Sequence, residues 1–166
     1  GIYSEEVQDV SEIGEGAEIA IPNDVTNGGR ALVLLQSAGL IEVDPDAGIL
    51  PSTDDITDSP LNLEIPELDA SQTARSIGDV TAAVINSGIA VDAGYIPDED
   101  AVFLEPVDEN SEPYINVIAA NEGDERESFD IIVDAYQSED TLEVINEASE
   151  DSVIVVWAED GYEFSE

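Results

Sequence analysis

Short apolar runs alternate with stretches of helical spacing along this chain, and most of them close on Pro, Gly or a capping residue. Residues 17–21 form an apolar run that ends at Pro22, which predicts a strand. Residues 23–29 are polar and Gly-bearing and predict a turn. Residues 30–38 have helical spacing, with Leu32, Leu35 and Leu40, or Val33 and Leu34, facing a core, and Gly39 stands where a left-handed helix end is wanted. Residues 41–69 are punctuated by Pro and predict mostly loop, with alternation over 61–65 predicting a short strand. Asp69 can cap a helix over 70–77 that Gly78 ends. Residues 82–85 are continuously apolar, the pattern of a strand buried on both faces. One or two helical turns over 87–93 follow, with Gly94 as their stop. Residues 102–104, 114–120 and 153–157 predict strands. Residues 127–137 and 141–148 predict two amphipathic helices with acidic faces, with Ser138 as the cap between them. Strands alternating with helices argue for an α/β layered domain with a mostly parallel sheet flanked by helices. A single domain over 1–157 with an acidic tail at 158–166 is the simplest organisation, because no repeat or low-complexity linker interrupts it.

Composition changes this picture in two ways. Ile, Val, Leu and Phe make up 47 of the 166 residues, enough for a core and well above the level expected of a disordered chain. The charge is extreme: 41 Asp and Glu stand against three Arg and no Lys, for a net charge of −38. So much like charge destabilises a compact state by self-repulsion. Salt relieves it, since the Debye length falls from about 10 Å at 0.1 M to about 3 Å at 1 M. The chain therefore reads as adapted to molar salt. The lack of Lys separates it from heat-adapted proteins, which gain Lys together with Glu. With neither Cys nor His, thiol and imidazole chemistry and the usual zinc ligand sets are excluded. The charge repels phosphate backbones, so nucleic acid is not an expected partner. No run has the length of a membrane span, and the first residues lack a signal-peptide pattern.

Three places could carry chemistry. Residues 21–30 place a strand end, a polar turn and a helix start in succession, which is an anion site in outline. Asn27 lies in that turn, Gly28 and Gly29 would let a ligand approach the backbone, and Arg30 supplies a fork that holds a carboxylate by two hydrogen bonds. Spacing alone leaves open whether that carboxylate belongs to a ligand or to a nearby acid of the chain. Asn86 follows the buried strand at 82–85, where ligands of open α/β sheets sit, and its amide both donates and accepts. It could equally cap the next helix. Asn116 lies inside an apolar stretch and either needs a partner or faces water. Residues 44–48 resemble a calcium loop only faintly, because a third Asp or Asn is missing and Pro45 is out of place, so a hydrated loop is expected.

Taken in order, residues 20–24 (AIPND), Thr26 with Asn27, residues 29–32 (GRAL), residues 34–36 (LLQ) and residues 38–41 (AGLI) resemble the signature stretch of the NlpA/MetQ lipoprotein family. Those proteins are the solute-binding components of methionine ABC importers. The likeness continues through Leu68, Ala70, Gln72, Arg75, residues 79–80 and 82–86, residues 93–94, residues 103–105 (FLE), Pro113, Tyr114, Asn116, Val117, and Gln137 with Ser138. It spans about residues 1–157, with residues 1–4 resembling the strand that enters the family's second lobe. The resemblance implies a lobe of a type II periplasmic-binding fold, with methionine held between two lobes. It implies that Arg30 grips the substrate carboxylate and that Asn86 and Asn116 bind the amino acid's polar end. The chain departs from the family at Val25, where Pro is usual, and at residues 88–90, where Asn-Tyr-Ala is usual. Acids such as Glu5, Glu6 and Asp92 stand where Lys is common.

The expected function is thus recognition without catalysis: part of the solute-binding component of an ABC importer for methionine or a related amino acid, working outside the cytoplasm. No cofactor is expected beyond Na⁺ or K⁺ ions bound at high salt. The family's first lobe is not represented in this sequence. The chain alone is therefore expected to bind methionine weakly or not at all, since half a cleft buries too little of a ligand, and to dimerise through the surface that lobe would cover. The alternatives are a truncated or engineered halophilic domain without ligand binding, and an acidic module that binds cations.

Overall fold

The computed structural model describes residues 1–107, 111–124 and 126–157, so the acidic tail predicted at 158–166 lies outside the described residues. The chain divides into two compact units, Gly1–Pro106 and Val107–Glu166.

In the first unit the strands are β1 (Ile2–Tyr3), β2 (Ile19–Pro22), β3 (Glu42–Val43), β4 (Ile56–Asp58), β5 (Glu67–Leu68) and β6 (Ala82–Val84). Its helices are α1 (Val25–Ser37), α2 (Ala70–Ser76), α3 (Ser87–Asp92) and α4 (Pro97–Asp100). Four strands form the main sheet in the order β1-β6-β2-β5. β6 and β5 both run parallel to β2, with Ile19 opposite Ala82 and Ile21 opposite Glu67, while β1 joins β6 antiparallel with Ile2 opposite Val84. β3 and β4 pair separately. The mostly parallel sheet flanked by helices is the fold class expected from the alternation.

Both faces of this sheet are covered, which is why its inner strands are continuously apolar. Strand side chains alternate between faces. Ile2, Ile19, Ile21, Ala82 and Val84 point to one side and pack with Leu32 and Leu35 of α1 and with Leu40. Tyr3, Ala20, Ala83 and Ile85 point to the other and pack with Ile77 and Ala90. Leu32, Leu35 and Leu40 are buried, and of the alternative pair Leu34 is buried while Val33 is half-buried. Gly39 ends α1 with φ of +73°, and Leu40 N–H bonds the Leu35 carbonyl at 3.0 Å while Gly39 N–H bonds that of Gln36 at 2.9 Å. That double closure satisfies carbonyls the helix leaves open.

Several elements differ from the sequence pattern. α1 begins at Val25 rather than Arg30, because Asp24 caps it: the carboxylate accepts the Asn27 backbone N–H at 3.0 Å. Gly28 and Gly29 are therefore inside the helix. The strand expected at 61–65 is reduced to one parallel bridge between Glu18 and Glu64, and that at 102–104 to a bridge between Ile2 and Phe103. Residues 114–120 form no strand; a 3₁₀ turn, Glu112–Tyr114, precedes an exposed extended segment. Nor do residues 153–157, where Val153 and Ile154 are exposed. An apolar run has the same pattern whether or not a neighbouring strand exists to pair with it.

In the second unit the two predicted helices are present as α5 (Glu127–Tyr136) and α6 (Glu139–Ser149). Ser138 caps α6, its hydroxyl accepting the Thr141 N–H. The Tyr136 and Trp157 rings pack with centroids 5.3 Å apart. No helix among the described residues is long and apolar enough to cross a membrane.

Candidate functional site

β2 and β6 are parallel neighbours, so the turns that leave them, toward α1 and toward α3, emerge at the same edge of the sheet. This is the edge at which open α/β sheets hold ligands. The first turn brings in Asp24 at the start of α1 and Asn27 and Arg30 within it, and the other supplies Asn86. Asn27 and Arg30 are three residues apart on α1 and share a face.

The polar groups at this edge form a chain. Asp24 accepts from Asn27 three times, from the backbone N–H at 3.0 Å and from Nδ2 at 3.2 Å (to Oδ1) and 3.0 Å (to Oδ2). These bonds, the backbone one foremost, hold the Asp24 carboxyl below its ordinary range. Asn27 Oδ1 in turn accepts from Asn86 Nδ2 at 2.9 Å. The Asn86 side chain makes no bond to its own helix, so capping α3 is not its role here. Its Oδ1 is buried and, among the described residues, receives no donor. Buried polar atoms are rarely left so, because the lost hydration costs about 1–3 kcal/mol.

Arg30 is held by Glu105. Its Nε donates to Glu105 Oε1 at 2.8 Å and its Nη2 to Oε2 at 2.5 Å, a bidentate pair on one edge of the guanidinium. The pair is partly exposed. Of the two readings left open by spacing, pairing with an acid of the chain is present in the structure. That acid lies 75 residues away, carried beside the site by the segment whose Phe103 bridges to β1.

Gly28 and Gly29 are buried against the protein's own backbone. A Cβ on Gly28 would stand 2.8 Å from the Pro22 carbonyl oxygen, and one on Gly29 would stand 3.1 Å from Leu50 Cα and 3.2 Å from the Pro51 carbonyl oxygen. The close approach these glycines permit is made here by β2 and by the loop at 50–51. Asn116 belongs to the second unit, where it is exposed and follows the turn at Glu112–Tyr114. In the loop resembling a calcium site, Asp44 caps a 3₁₀ turn by accepting from the Asp46 N–H at 2.9 Å. No group of three or more acids placed to hold a metal ion occurs among the described residues.

Sequence reasoning missed two residues here. Asp24 was inside the motif, and its capping role was legible from an acid placed three residues before Asn27. Glu105 had no local signal.

A two-faced, mostly parallel sheet with polar side chains gathered at one strand edge defines an α/β layered unit with a candidate site at that edge. The chain belongs to the NlpA lipoprotein family, whose family model matches residues 1–157. The D-methionine-binding lipoprotein MetQ of Escherichia coli is 37% identical over 158 residues, covering 93% of this chain and 57% of that protein. The substrate-binding protein of a methionine transporter from Streptococcus pneumoniae superposes with a TM-score of 0.76 at 38% identity, covering 90% of this chain and 61% of that one. A nutrient-binding protein from Burkholderia cenocepacia, solved bound to methionine, superposes with a TM-score of 0.75 at 32% identity, covering 90% of this chain and 63% of that one. This chain thus spans about three fifths of the length of these relatives, which are binding proteins rather than enzymes.

Proposed function

We propose that this chain carries one recognition face of a solute-binding protein that serves an ABC importer for methionine or a related amino acid, outside the cytoplasm and in high salt. It does no catalysis. The observation that carries this reading is the placement, at one sheet edge, of a guanidinium and a buried amide oxygen that receives no donor among the described residues. A free amino acid presents a carboxylate and an ammonium a few ångströms apart, and these are the two groups that such a pair recognises.

Arg30 takes the ligand's carboxylate. Glu105 holds the Nε–Nη2 edge and so fixes the plane of the guanidinium. The positive end of the α1 dipole favours the same negative group. Asn86 Oδ1 accepts from the ammonium. Choice of side chain then rests on parts of the pocket that the longer relatives possess. The acidic surface keeps the protein soluble and folded in brine, with Na⁺ or K⁺ screening its carboxylates.

Thermal unfolding in molar KCl tests this. Ligand that binds only the folded state raises the midpoint by mass action. Half a cleft binds weakly, so millimolar L-methionine is expected to raise it by a small amount, with a smaller effect still from glycine and none in Arg30→Ala. Cooperative unfolding with no methionine-specific rise, or a rise that persists in Arg30→Ala, contradicts the reading.

A further inference from the structure

We propose that Asp24 is a positioning residue: acting through Asn27, its carboxylate fixes which way the Asn86 amide faces, and so gives the site an acceptor where it would otherwise present a donor. The proposal rests on the amino-acid reading above for the ligand's identity, though not for the amide geometry.

Which atoms can donate fixes the orientation of each amide. An ionised carboxylate only accepts. Both Asp24 oxygens face Asn27 Nδ2, at 3.2 and 3.0 Å, so Asn27 must turn its NH₂ toward Asp24 and its Oδ1 away. That Oδ1 also only accepts, and Asn86 stands 2.9 Å from it. Asn86 must therefore present Nδ2 to Asn27, which leaves Oδ1 as the atom without a donor. Reversing either amide would set two donors or two acceptors face to face. The orientation is thus set once, at Asp24, and passed through two side chains.

The effect suits the site. Helix N-termini offer N–H groups and a positive dipole, which favour anions and disfavour an ammonium. An acceptor placed among those donors has to be held in that sense by something, and the Asp24 carboxylate does it.

The test is Asp24→Asn. Asn caps a helix about as well as Asp, so the fold is expected to persist, with the unfolding midpoint as the check. The new NH₂ would face Asn27 Nδ2 in place of Oδ2, and the relief is for both amides to turn over. Neutron diffraction from deuterated crystals distinguishes amide nitrogen from oxygen directly. The Asn86 ND₂ group is expected to face Asn27 in the original protein and to face away in the variant. L-Methionine affinity, followed by NMR titration in molar KCl, is expected to fall about ten-fold or more, the scale of one bond to a charged group. Affinity for 4-(methylthio)butanoate, which lacks the ammonium, should change less than two-fold. If the variant does not fold, Asn27→Ala cuts the relay while leaving the Asp24 cap on the backbone, and the same loss of discrimination is expected. An Asn86 amide that keeps its orientation in Asp24→Asn overturns the relay. A reversed amide with an unchanged ratio of affinities overturns the acceptor's role toward the ammonium. If the original protein binds no methionine, the functional reading fails, and diffraction still decides the relay.

Discussion

Gly28 sits in the first turns of α1, where a helix gains from Ala and packing does not. Replacing Gly by Ala in a helix interior is worth roughly 1 kcal/mol in the helix's favour. Against this, the added Cβ would lie 2.8 Å from the Pro22 carbonyl oxygen, where ordinary contact begins near 3.4 Å. Both atoms belong to backbone, in α1 and in β2, so no side chain can swing aside. Overpacking of a core costs about 1–3 kcal/mol, and a backbone-to-backbone clash belongs in the upper part of that range. Gly28→Ala is therefore expected to destabilise the chain by roughly 1–2 kcal/mol net. For a domain of this size that is about 2–8 °C in the unfolding midpoint. Gly88, in α3, is the control. A Cβ there meets nothing within 4 Å, so Gly88→Ala should stabilise by about 0.4–1 kcal/mol. The assay is thermal unfolding of both variants side by side in molar KCl. If Gly28→Ala unfolds at or above the midpoint of the original protein, the packing argument for this glycine is wrong.

Far-UV circular dichroism is expected to show native helix content growing as KCl rises from dilute buffer toward molar concentration, and a fully formed fold in dilute buffer would refute the salt dependence. The carboxyls of Asp9, Asp24, Asp55 and Asp69 are held below their ordinary value of 3.8 in the folded chain, by bonds from Ser11, Asn27, Ser52 and Ser71 respectively. Folded-state values below unfolded ones mean that this stabilisation is full above the ordinary value and is lost as pH falls through the depressed ones. Stability measured by urea unfolding should accordingly rise from neutral pH toward 4 as self-repulsion eases, then fall below 3.8. Burial, then Asp100 and Asp98, push the Tyr3 phenol from 10.0 up to about 12. It stays neutral in the folded chain while the unfolded chain ionises, so stability should drop as pH rises above 10. The Tyr3 hydroxyl is buried without a partner among the described residues, and Tyr3→Phe should leave stability unchanged or raise it. Leu35→Ala, at a fully buried position on α1, should cost about 2–5 kcal/mol.

The sequence pattern was legible where one local cause acts alone. The apolar run at 82–85 is typical of a strand covered on both sides, and β6 is that strand. Gly39 and Asp69 marked a helix end and a helix start, because a left-handed residue and an N-cap leave their own signatures. Where tertiary contact overrides propensity, the pattern misled. Gly28 and Gly29 read as loop residues, yet the Asp24 cap starts the helix before them, and the close approach of Pro22 and the 50–51 loop favours residues without a Cβ there. At the candidate site, the sequence placed Asn86 just past the end of β6, where the structure has it, while Arg30, read at a helix start, lies inside α1. Glu105 was not legible, since its pairing with Arg30 is a product of topology across 75 residues. Residues 114–120 and 153–157 have strand composition without strand pairing, and composition does not say whether a partner edge is present.

The central claim is that Arg30 and Asn86 together recognise the two charged ends of an amino acid. A ¹H–¹⁵N NMR titration of the chain with L-methionine in molar KCl tests it most directly, because it detects even millimolar binding and reports each group by itself. The account predicts saturable shifts at Arg30 Nε and at the Asn27 and Asn86 side-chain amides, absent in Arg30→Ala. Methionine that binds with these three resonances unmoved, or that moves them no more than an equal concentration of KCl does, would contradict it.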